Sequence, residues 1–101
     1  MIVSLKHDVR VRGISPEILL AVIIAENVYA NNAQDFMVIT SLTDGKHGAA
    51  SLHYTGEAVD LRLPTPLVKE QVIKQLKTAL GSNYDVVLES DHIHIEHDPK
   101  R

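Results

Sequence analysis

AVDLRL, residues 58–63, alternates in polarity: Ala58, Asp60 and Arg62 share one face, and Val59, Leu61 and Leu63 share the other. That period of two predicts a half-buried strand. A second alternating stretch, HIHIEH at 92–97, sets His92, His94 and Glu96 opposite Ile93 and Ile95. Between them lie a helix pattern and a third strand. Pro64 and Pro66 end the first strand, and Thr65 is positioned to cap a helix over 66–80, PLVKEQVIKQLKTAL. Leu67, Val72, Ile73, Leu76 and Leu80 form its apolar stripe, and Gly81 is a natural stop. YDVVLE at 84–89 reads as a strand, joined to 92–97 through a tight turn or bulge at Ser90-Asp91.

Upstream, Ser15, Pro16 and Glu17 mark a helix start: a cap, a proline at the first turn, and an acid at the positive end of the dipole. The helix runs to about Asn31-Asn32, with the Ile-rich stretch 18–24 read as core. FMVIT at 36–40 reads as a buried strand and VRVRG at 9–13 as a short strand-like piece, while 41–56, with three glycines, reads as a loop. The expected fold is α+β, a small single domain over 1–101 with two main helices against one antiparallel sheet.

A chain of 101 residues buries roughly two-thirds of its unfolded surface. With aromatics at only 4%, its core must come from Ile, Leu, Val and Ala. Net charge is −3 and no basic run occurs, which removes the electrostatic footprint of nucleic-acid binding. ILLAVIIA at 18–25 is too short for a membrane span and is flanked by Glu17 and Glu26. The N-terminus lacks the layout of a secretory signal. The chain contains no cysteine, so a metal would have to be held by histidine and carboxylate.

SLHYTGEAVDLR at 51–62 supplies such groups: His53 and Asp60 lie seven positions apart with Gly56 between them. Glycine lets the chain turn sharply enough to bring His53 back over Asp60. If the strand 92–97 is a neighbour, His94 joins them, and three protein ligands with an open water position make a catalytic zinc site.

These residues resemble the S-x-H-x-x-G-x-A-x-D signature of the zinc D-Ala-D-Ala carboxypeptidase and phage endolysin peptidases, whose fold is shared with the hedgehog signalling domain. DHIH at 91–94 resembles the second motif of that family, and the resemblance extends over roughly 13–98. It implies a hedgehog/DD-peptidase-like domain with one Zn(2+) per chain on His53, Asp60 and His94. It implies Asp91 as general base, His92 as an auxiliary histidine for the oxyanion, Ser51 as a substrate-carboxylate contact and His47 as a pocket residue. The substrate implied is a D-amino-acid peptide of the peptidoglycan stem. With no signal peptide, the expected setting is a protein made in the cytoplasm and acting at the cell wall, in phage lysis or on the virion. The alternative is a non-catalytic, zinc-stabilised binding module of the same fold.

A rival register exists, because Glu89 stands three before His92 just as Asp91 stands three before His94. Plainer readings accompany each residue. His53 could bond a loop carbonyl, Asp60 could pair with Arg62 or a lysine, and His92 and His94 could be the polar face of an edge strand. His47 and Ser51 could serve only their own loop. Glu96 and His97 read as solvent-exposed or as supporting the ligands, and His7 has no functional context. Arg10, Arg12 and Arg62 could each meet a substrate carboxylate.

Overall fold

The computed structural model describes residues 1–43 and 56–99. Their elements follow the order β1 (Ile2–Leu5), α1 (Pro16–Asn31), β2 (Phe36–Ser41) and β3 (Ala58–Arg62), then a 3-10 turn (Pro66–Val68), α2 (Lys69–Leu80), β4 (Tyr84–Leu88) and β5 (His92–His97). The strands make one sheet in the order β1-β2-β3-β5-β4. β1 runs parallel to β2, and the remaining neighbours are antiparallel. The sheet is therefore mixed rather than antiparallel. The helix α1 carries the chain back across the sheet, so β2 restarts in the direction of β1.

The α+β class and the two helices match the reading from sequence, and the differences have local causes. The strand-like VRVRG forms no strand: Asp8 adopts φ 70° and turns the chain away from the sheet edge. The carbonyls of Arg10 and Arg12 instead accept from the Thr43 hydroxyl at 2.9 and 3.1 Å. The edge strand falls on IVSL, too short for its alternation to stand out. FMVIT is half-buried, not buried, because Met37 and Ile39 face the helices while Phe36 is exposed.

Both helices pack on one side of the sheet, so α1 has a single face to bury. Ile18, Ala21, Ala25 and Val28 take it, and Leu19, Leu20 and Ile23 remain exposed. The stretch 18–24 is thus only half core. In α2, Val72, Ile73, Leu76 and Leu80 are buried, but Leu67 lies in the 3-10 turn and is exposed. Thr65 makes no capping bond there; its hydroxyl and amide both donate to Gln34 Oε1 at 3.1 Å. Ser15 caps α1 as expected, accepting from the Ile18 amide at 3.1 Å.

Under the helices lie Val59 and Leu61 of β3, Val86 of β4, and Ile93 and Ile95 of β5. Buried Tyr29 donates to the Arg62 carbonyl at 2.7 Å, tying α1 to the end of β3. Gly56 opens β3 at φ 76°, and its carbonyl accepts from the Ser15 amide at 3.0 Å.

Candidate metal centre

The side chains opposite this core carry the chemistry. On β3 and β5 the register pairs Asp60 with His94, Arg62 with His92 and Ala58 with Glu96. Alternation puts Asp60, His92, His94 and Glu96 on the sheet face turned away from the helices. The two strands expected to be neighbours are neighbours, and Asp60 and His94 stand directly across from each other.

His94 Nδ1 lies 2.8 Å from Asp60 Oδ1, and His94 Nε2 lies 3.0 Å from Glu96 Oε1. His92 approaches the same aspartate less closely, with Nε2 at 3.7 Å from Oδ2. Its Nδ1 lies 2.6 Å from Asp91 Oδ1. Successive strand residues would point to opposite faces, but Asp91 sits in a two-residue hairpin turn. The turn is closed by the Glu89 amide donating to the His92 carbonyl at 2.9 Å, which frees Asp91 to fold over its neighbour. Asp60 is held at 13% side-chain exposure, whereas Asp91 stands at 84%. One extra residue in β2 between Ile39 and Ser41 bulges that strand beside Asp60, bringing Ser41 opposite it.

His47, Ser51 and His53 lie outside the described residues. Of the expected site, the structure therefore brings together Asp60, His94, His92 and Asp91. Glu89 is exposed near the start of the same hairpin turn.

Glu96 is a member of this constellation that sequence reading left in the background, and the signal for it was its shared parity with His94. His97 departs from the group. It faces the helix side, 5.1 Å ring to ring from Tyr84, with Nδ1 2.7 Å from Glu57 Oε2. The Tyr84 hydroxyl donates to the Glu17 carbonyl at 2.7 Å, which closes this corner against the start of α1. Among the described residues, two groups of three bring possible ligand atoms within 4.8 Å of one another: Glu17, Glu57 and His97, and Asp85, Glu96 and Asp98. A groove of about 730 Å³ between α1 and α2, lined by Val28, Asn31, Glu70 and Lys74, contains no histidine and none of the expected site residues.

The Asp60 carboxylate, hydrogen-bonded to His94, raises the imidazole's pKa above its usual value; burial opposes this, and Glu96 adds to it. In the metal-free protein this contribution to stability is full below the unfolded histidine value of about 6.5 and is lost as pH rises through the raised folded value. The urea midpoint of metal-free protein should accordingly fall over that window, and His94→Gln should remove the fall. An identical pH profile in the two proteins would refute it.

An imidazole nitrogen and a carboxylate oxygen facing each other form a donor pair suited to zinc. No helix among the described residues is long and apolar enough to cross a membrane. Compared with known proteins, the chain matches no family model, no curated protein and no solved structure.

Proposed function

We propose that the protein is a zinc metallopeptidase that hydrolyses a peptide bond in the peptidoglycan stem, as a D-Ala-D-Ala-type carboxypeptidase or an endopeptidase. The observation that carries this reading is the Asp60–His94 pair, 2.8 Å apart across β3 and β5, with Asp91 on the adjoining turn and His92 at the start of β5. His53, seven residues before Asp60 in the resemblance motif, is the third ligand. His94 is preferred to His92 as ligand because its nitrogen is the nearer to Asp60, 2.8 against 3.7 Å.

Zinc bound there would lower the pKa of its water toward about 7 and polarise the scissile carbonyl. The chain's own groups take the other roles. Asp91, well exposed at the turn, accepts the proton of the attacking water and returns it to the leaving amine. His92, held by Asp91 through Nδ1, turns Nε2 toward the Asp60 carboxylate at 3.7 Å, where it can donate to the developing oxyanion. His47 is a second donor, and Ser51 holds the substrate carboxylate. The setting that suits these features is the bacterial cell wall, reached during phage lysis or from the virion.

Purified protein is expected to bind about one equivalent of zinc and to release amino groups from peptidoglycan, with chelation stopping the release and zinc restoring it. Asp91→Asn should keep the zinc and lose the release. Stoichiometric zinc with no release from the wild type would make the chain a metal-stabilised binding module instead.

A further inference from the structure

We infer that Glu96 is a positioning residue that makes Nδ1, and not Nε2, the metal-binding nitrogen of His94. This rests on the reading of Asp60 and His94 as zinc ligands. The two nitrogens of the ring are already divided between two carboxylates. Nδ1 lies 2.8 Å from Asp60 Oδ1, and Nε2 lies 3.0 Å from Glu96 Oε1. An ion shared with Asp60 must therefore be met by Nδ1.

A neutral imidazole carries one proton. A carboxylate accepting at Nε2 keeps the proton there, which leaves the Nδ1 lone pair for the metal and makes it more basic. Glu96 reaches this position because it lies two residues beyond His94 on β5 and so shares its face. Its side chain is 25% exposed and that of His94 20%, so water competes weakly for the contact. Asp91 cannot substitute for it, being engaged with His92 Nδ1 at 2.6 Å.

The test combines zinc affinity, by chelator competition on the full chain, with long-range proton–nitrogen spectra of the histidine rings in the zinc-loaded protein. Glu96→Ala should weaken zinc binding by roughly 10–100-fold. Glu96→Gln should recover most of that loss, because its amide oxygen still accepts from Nε2–H. The spectra should show His94 with metal at Nδ1 and a proton at Nε2 in the wild type and in Glu96→Gln. Melting of the metal-free variants checks that each remains folded.

Several results would overturn the inference. Unchanged affinity in Glu96→Ala would do so, as would a metal-bound Nε2. A Glu96→Gln loss equal to that of Glu96→Ala would make Glu96 a ligand rather than a positioning group. If the wild type takes up no zinc, or His94→Ala binds it normally, the metal reading itself fails, and this inference fails with it.

Discussion

On the proposed zinc-peptidase reading, His94→Ala should weaken zinc binding by on the order of 10²–10³-fold, since the roughly 10–16 kcal/mol typical of structural zinc, shared among three protein ligands and a water, leaves some 3 kcal/mol for each. The proposed peptidoglycan hydrolysis should disappear with it. His92→Ala is the informative companion. Its ring lies farther from Asp60 than that of His94, 3.7 against 2.8 Å, and is held instead by Asp91. It should keep near-normal zinc affinity and lose turnover. A competition titration separates the two outcomes: a large affinity loss in His92→Ala with none in His94→Ala would exchange their roles and promote Glu89 over Asp91 as the base.

The second large effect concerns backbone, not chemistry. Gly56 adopts φ 76°, where an L side chain costs about 1–2 kcal/mol. A Cβ at this position would also overlap the carbonyl of Gly13, a backbone group that cannot swing aside. Relieving the overlap would pull Gly56 from the Ser15 amide, its hydrogen-bond donor at 3.0 Å, and with it from the start of α1. Gly56→Ala is expected to cost about 3–4 kcal/mol in all, a large share of the 5–15 kcal/mol that stabilises a typical domain. For a domain of this size that corresponds to a Tm lower by roughly 15 °C or more. A loss under about 1 kcal/mol in urea unfolding would show that the Gly13–Gly56 contact yields easily.

The parts of this fold that could be read in the sequence are those where pattern and environment agree. AVDLRL and HIHIEH each have one face on the core and one off it, so their period of two survives intact in β3 and β5. Their adjacency could only be assumed, because pairing across 34 residues depends on the route of the intervening helix and not on any local signal. IVSL gave no such pattern, since β1 is an edge strand whose Ile2 and Leu5 both remain exposed. The Ile-rich helix misled in the opposite direction. Its apolar residues surround the axis, but a two-layer fold offers α1 only one partner surface. At the site, residue types pointed to Asp60 and His94, whereas the division of the ring nitrogens between Asp60 and Glu96 is a matter of geometry.

The strand order β3-β5-β4 places β5 between two strands that precede it in the sequence. A ribosome therefore delivers β3, α2 and β4 with a gap in the middle of their sheet. Until His97 has emerged, Ile93 and Ile95 are missing from the core and Asp60 faces no imidazole. The closing of the sheet and the joining of Asp60 to His94 are consequently one event, which follows the making of β4. A nascent chain stopped short of β5 has neither a finished core nor the Asp60–His94 pair.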